Sequence, residues 1–325
     1  MTEQDTPGTH EEAQTPGLPS EGPGLRVLLT GATGFIGARV LRDLAGHHQV
    51  FAAHHSGLDL AGIEPAFITP VHWEAESGSP EALIALVDPA VVVHLLAITR
   101  TEACAQDPQR ATLLNLTVTK RLAQAAFYRG TRFIFTSTDL VFDGKKSMVS
   151  EQDTPNPTNT YARTKWEAEQ ALNTIFRPKP DLLTIFRIGL SYGWGAGQHQ
   201  GPAGWVIEKL KARQRVDLFG DEFRSPLFLG DACRAIREAI ETPHPGLYHL
   251  GGSERIDRYT LGVKMAARFG LDAGYIQRRS VADYPGPEPR SPDCSMNITK
   301  FQDAFGWTPC GVEEGLNRMA AETQD

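Results

Sequence analysis

Short apolar runs alternate along this chain with longer stretches in which apolar residues recur every three or four positions. The runs fall at residues 26–30, 49–53, 91–95, 132–137 and 182–187, and are read as strands. The stretch 38–44, directly after the first run, has the helical period. Ser79-Pro80-Glu81 marks another helix start, with a capping serine, proline at the first position and an acid in the first turn. Strand and helix in alternation predict an α/β fold, a doubly wound parallel sheet of the Rossmann kind with helices on both faces. Beyond Gly189 the texture changes. Gly193-Trp-Gly-Ala-Gly197 and Gly201-Pro-Ala-Gly204 form a glycine-rich stretch, expected as a mobile loop or lid, before helices at 205–213, 260–269 and 312–321. This latter part reads as a smaller lobe, and no internal repeat is found.

With 325 residues and 41% hydrophobic content, the chain can bury a full core. Its net charge of -7 argues against a nucleic-acid surface and leaves small anions as the expected partners. Four scattered cysteines, Cys104, Cys233, Cys294 and Cys310, form neither a disulfide framework nor a zinc motif, and point to reduced thiols in the cytoplasm. Residues 1–24 lack Lys and Arg and are rich in Pro, Gly, Thr and Glu; they are expected to be a disordered acidic tail, unlike a signal peptide. No apolar run is long enough to span a bilayer, so no membrane contact is expected.

Two local patterns carry chemistry. Gly31-Ala-Thr33-Gly34-Phe35-Ile36-Gly37 stands between a strand and a helix, where glycines allow a sharp turn and let a pyrophosphate approach backbone amides. Tyr161 and Lys165 are four apart on a predicted helix, so phenol and ammonium share one face. A cation there is expected to stabilise the phenolate and bring its proton affinity towards neutral pH.

Taken in order, these segments resemble the extended short-chain dehydrogenase/reductase superfamily, and within it the dTDP-4-dehydrorhamnose reductase family. The likeness spans about residues 25–320 and is also carried by Val91-Val-Val-His-Leu-Leu-Ala97 with Asp107-Pro108 and Asn115, by Ser137-Thr-Asp-Leu-Val-Phe-Asp-Gly144, and by Arg224-Ser-Pro-Leu-Phe-Leu-Gly-Asp231. The resemblance implies a nicotinamide dinucleotide-binding domain at 25–188 and a mostly substrate-binding lobe at 189–325, with segments returning to the first domain. It implies catalysis by Thr138, Tyr161 and Lys165, a cofactor groove lined by Thr136, Leu96, Ala97 and Ile98, and a sugar-nucleotide substrate near Thr138, Asp139, Leu190 and Arg224. Arg224 is assigned to the diphosphate, with a surface ion pair as the alternative. Asp231 is expected to cap a helix at 232–240, and Arg187 to be structural. A homodimer is implied as well.

The second strand ends Ala52-Ala-His54-His55-Ser56 with no acid at its tip, Asp59 being the nearest. Donors without a carboxylate favour NADP(H) over NAD(H), which remains possible. His54 and His55 read equally as exposed loop histidines, and no metal is expected. Leu140 and Leu190 replace aromatic residues usual in the family, so the pocket is expected to take a different sugar nucleotide. Two rivals stand beside the reductase. One is an NAD-dependent sugar-nucleotide epimerase or dehydratase, although Leu140 replaces the second acid that dehydratases use. The other is a non-catalytic NADP-binding regulatory subunit resembling the methionine adenosyltransferase beta subunit.

Overall fold

The computed structural model describes residues 24–58, 60, 65–195 and 201–322; nearly all of the acidic 1–24 segment, Asp59 and residues 196–200 of the glycine-rich stretch lie outside the described residues. Strands β1 (Arg26–Thr30), β2 (Gln49–His54), β3 (Ile68–His72), β4 (Val91–His94), β5 (Arg132–Thr138) and β6 (Leu183–Ile188) form one sheet with a seventh strand, Gly246–Leu250. All pairings within it are parallel, in the spatial order β3-β2-β1-β4-β5-β6 followed by Gly246–Leu250. The order reverses between β1 and β4, which opens a crevice at the carboxyl ends of those strands.

The helices are α1 (Phe35–Leu44), α2 (Pro80–Val87), α3 (Thr101–Gln106), α4 (Pro108–Thr112), α5 (Thr119–Arg129), α6 (Thr160–Phe176), α7 (Gly201–Lys211), α8 (Leu229–Glu241), α9 (Arg258–Arg268), α10 (Thr299–Phe305) and α11 (Val312–Ala321). Strand side chains alternate between two cores, which is why each run is apolar throughout. Val27, Leu29, Val91, Val93 and Ile134 pack with α1 and α8, whereas Leu28, Val92, Phe133 and Phe135 pack with α5 and α6. The fold is therefore the α/β doubly wound parallel sheet anticipated from the sequence. Ser79 caps α2 as expected, its hydroxyl accepting from the Ala82 amide at 3.1 Å.

Two strands of the seven-stranded sheet escaped the sequence reading, as did the short strands of three two-stranded sheets among the described residues. Ile68–His72 carries Pro70 and alternates irregularly between buried and exposed, which an edge strand tolerates. Gly246–Leu250 lies far along the chain and joins the sheet beside β6. Around Tyr192, Phe228, Met265, Leu316 and Met319, elements α7, α9 and α11 build a separate apolar cluster. Asp231 corrects an expectation: it sits inside α8, not before it. Its buried carboxylate accepts from the Cys310 amide at 2.8 Å and from Arg318 at 2.7 Å, so it ties the chain around α11 to α8. No described helix is long and apolar enough to cross a membrane.

Candidate functional site

The crevice is a cleft of about 1140 Å³ along the carboxyl edge of the sheet. Its floor begins at the glycine turn. Gly31 has a φ of 74°, and its carbonyl accepts from the Gly34 amide at 3.0 Å, so that α1 can start at once. A Cβ on Gly37 would stand 2.0 Å from the Gly31 oxygen, and one on Gly31 would stand 2.7 Å from the Leu96 nitrogen. The turn is thus a cradle in which main chain packs on main chain. Gly31, Thr33, Gly34, Phe35, Ile36 and Gly37 all line the cleft there. A helix N-terminus with bare backbone suits a pyrophosphate, so these residues fit a dinucleotide.

Leu96 and Ala97 line the next stretch, in the loop that leaves β4. Asn115 holds that loop: it accepts from the Ile98 amide at 2.8 Å, and its own amide donates to the Ile98 carbonyl and the Thr164 hydroxyl, each at 3.1 Å. Asn115 stands in a π-helical turn, Leu113–Val118, whose extra residue interrupts the regular helix there. Ile98 itself is outside the lining and contributes main chain to this clip. Beneath the loop, His94 is buried between the hydroxyls of Thr30 at 2.7 Å and Thr119 at 2.8 Å. Burial, with Lys165 adding to it, pulls its imidazole down to about 3, so it stays neutral.

The residues expected from the sequence to carry the chemistry come from β5 and α6. Thr136, Thr138 and Asp139 leave the end of β5, while Asn159 caps α6 and presents Tyr161 and Lys165 one turn apart to the same cleft. Tyr161 lies beside Thr138 in the same cleft, and the Thr138 hydroxyl favours its phenolate form. The Thr138 hydroxyl donates to Asp139 at 3.1 Å and accepts from the Leu140 amide at 3.2 Å. Tyr161, Thr138 and Asp139 therefore stand together in the cleft, with Thr138 hydrogen bonded to Asp139.

One electrostatic expectation needs correction. Burial dominates at Tyr161 and raises its pKa above the ordinary phenol value, with the neighbouring Thr138 hydroxyl acting against it. The Lys165 ammonium lies 4.0 Å from the Phe135 ring centroid. Burial lowers its pKa to about 7, opposed by Glu169 one turn further along α6. Asp139 is pushed up to about 6 by burial, with Arg224 and the Thr138 hydrogen bond opposing.

On the far wall, Arg224 is 4% exposed and already engaged. It donates to the Glu222 carboxylate at 2.7 Å and to the Phe223 and Ser291 carbonyls at 2.6 and 3.1 Å, and it stands 3.7 Å from Asp139. The surface ion pair weighed as its alternative is ruled out by that burial. Glu222 also meets Arg290 at 2.9 Å and Arg258 at 4.0 Å. Burial alone would raise Glu222, but the three guanidinium groups outweigh it and hold the carboxyl below its usual range. Sequence reasoning missed Glu222, Arg258, Arg290 and the half-exposed Trp205, all of which line the cleft. They come from separate segments with no common motif, so only the fold assembles them. Leu140 and Leu190 line it too.

His54, His55 and Ser56 lie at the end of β2, outside this lining. The tip is not free of acid: Glu74, just past β3, stands 2.6 Å from His55 and 3.1 Å from His72. Parallel pairing, not nearness in sequence, supplies that carboxylate. Arg187 is structural as expected, paired with Glu169 at 2.7 Å, both buried.

Comparison with known proteins agrees with this architecture. A family described as RmlD substrate binding domain matches residues 25–325. The dTDP-4-dehydrorhamnose reductase of Salmonella typhimurium is 30% identical over 309 residues, covering 92% of this chain and 98% of that protein. The methionine adenosyltransferase 2 subunit beta of Xenopus tropicalis is 28% identical, covering 86% of this chain and 82% of that protein. The crystal structure of Bacillus anthracis dTDP-4-dehydrorhamnose reductase with NADP has the same fold, with a TM-score of 0.78 over 92% of this chain and 99% of that chain, at 20% identity. With the glycine cradle, the Tyr161 and Lys165 helix and a family match over nearly its whole length, this chain belongs to the RmlD substrate-binding-domain family, within the extended short-chain dehydrogenase/reductases.

Proposed function

We propose that this protein is an NADP(H)-preferring reductase of a nucleotide-activated 4-keto sugar, similar to dTDP-4-dehydrorhamnose reductase. The observation that carries the reading is that Tyr161, Lys165, Thr138 and Asp139, the last two hydrogen bonded to each other, line the same cleft as the Gly31 to Gly37 cradle. A reduced nicotinamide, when bound, supplies the hydride to the carbonyl carbon. Tyr161 gives its proton to the carbonyl oxygen, and Thr138 steadies that oxygen as charge develops. Lys165, near neutrality in the buried site, gains its full charge once a polar ligand enters the cleft, and then stabilises the phenolate that proton transfer leaves.

Three guanidinium groups around the Glu222 and Asp139 carboxylates support a diphosphate-bearing substrate. Arg290 and Arg258 take over the role that sequence reasoning gave to Arg224, whose donors are spent inside the wall. Trp205, 46% exposed beside the cleft, offers the stacking face that Leu140 and Leu190 lack. For the cofactor, His54, His55 and Ser56 offer donors to a 2′-phosphate, while Glu74 offers an acceptor to ribose hydroxyls. NAD(H) is therefore expected to bind as well, more weakly. A cytoplasmic homodimer completes the proposal, on family resemblance.

The test is NADPH oxidation across a panel of dTDP-, UDP- and GDP-linked 4-keto sugars, with NADPH and NADH affinities measured alongside. Stoichiometric NADPH loss with one of them is expected; interconversion of sugar nucleotides without net NADPH loss would favour an epimerase. The similarity to methionine adenosyltransferase beta subunits supports a second reading, a non-catalytic partner-binding subunit. It would gain from inactivity across the panel together with a stoichiometric methionine adenosyltransferase in a pull-down.

A further inference from the structure

The carboxyl edge of β2 and β3, beyond the cleft lining, gathers a second group of chemically capable side chains. Parallel pairing sets His54 level with His72, and the Trp73 amide extends the ladder to the His54 carbonyl at 2.9 Å. His72 and Glu74, two apart along this extended segment, project to one side, and His55 comes in from the end of β2. His55 Nδ1 lies 2.6 Å from Glu74 Oε2, and His72 Nε2 lies 3.1 Å from Glu74 Oε1. The three ligand atoms all fall within 4.8 Å of one another. His54 packs edge-on against His72, with ring centroids 5.9 Å apart, and so restricts the orientation of that imidazole.

We propose that His55, His72 and Glu74 bind a divalent transition-metal ion of the zinc class. Two imidazole nitrogens and one carboxylate oxygen are the donor set that such ions prefer, and hard cations such as magnesium do not. With bonds of about 2.0–2.1 Å to the ion, neighbouring ligands of a tetrahedral zinc stand roughly 3.3 Å apart. The His72 to Glu74 separation is already near that value, and the His55 to Glu74 contact opens by about 0.7 Å to reach it. All three side chains reach solvent, so the ion enters with only that small side-chain shift and keeps water at its remaining position. The adjacent pair His54 and His55 does not form the site by itself; His72 and Glu74 supply the other two ligands. This inference does not depend on the hydride chemistry, but it shares His55 and Glu74 with the proposed contacts to the cofactor's adenosine ribose, so metal and dinucleotide would compete there.

The test uses the tag-free full chain, stripped with chelator and titrated with zinc by calorimetry. One saturable ion per chain is expected. His72→Ala and Glu74→Gln, both at surface positions, should each weaken binding by at least about tenfold, while His47→Ala, at an exposed histidine on another part of the surface, should leave it unchanged. Cobalt(II) in place of zinc should give visible bands without the intense thiolate charge-transfer absorption of a cysteine site. Absence of saturable binding, binding that survives both ligand substitutions, or a thiolate band would each overturn the proposal.

Discussion

Tyr161 and Lys165 illustrate how burial decides what a residue can do. Spacing alone put an ammonium beside a phenol, yet burial raises the one and lowers the other to about 7. Between that value and the unfolded lysine's ~10.4, the unfolded chain holds a proton that the folded chain does not. Lys165 therefore costs stability most fully below pH 7, and the cost fades as pH rises through this window. Urea titrations of cofactor-free Lys165→Met should show a gain over the parent at pH 7 that shrinks by pH 10; a constant difference would contradict the buried ammonium. Tyr161→Phe should lower kcat by about 10²–10⁴-fold, the usual worth of a positioned proton donor, with cofactor affinity nearly unchanged. Stopped-flow turnover and fluorescence titration of NADPH measure the two separately.

At the scale of elements, the site depends on how closely α1 and the loop after β4 approach the end of β1. Gly37 permits that approach, since a methyl there would meet the Gly31 carbonyl at 2.0 Å. Gly37→Ala should push α1 off the turn, cost about 1–3 kcal/mol in thermal unfolding, and weaken dinucleotide binding. A variant with unchanged NADPH affinity would show that the cradle is not the pyrophosphate site. The strand-turn-helix around Gly31 was legible because its cues are local: an apolar run, spaced glycines and a helical period. The clip made by Asn115 was not, because its partners Ile98 and Thr164 lie 17 and 49 residues away.

For the molecule as a whole, Arg187 on β6 and Glu169 on α6 join sheet to helix through a buried ion pair, with His249 of the seventh strand beside the guanidinium at 3.4 Å. Arg187→Met should destabilise the protein by about 3–5 kcal/mol, because it leaves Glu169 charged and unpaired in the core. Adding Glu169→Leu should recover most of that loss in urea unfolding. If the double variant is no more stable than the single one, the loss comes from packing and not from charge.

Local order of apolar and polar residues determined the strand and helix sequence, the α/β class and the positions of the cradle and of Tyr161 and Lys165, since each follows from neighbours within a turn or a strand. Tertiary structure alone decided which residues meet. It brought Glu222, Arg224, Arg258 and Arg290 to one wall, withdrew Arg224 into internal bonds, and carried Glu74 to the β2 tip. These contacts join segments far apart in the chain, and the proton affinities in the cleft depend on the water that such packing excludes.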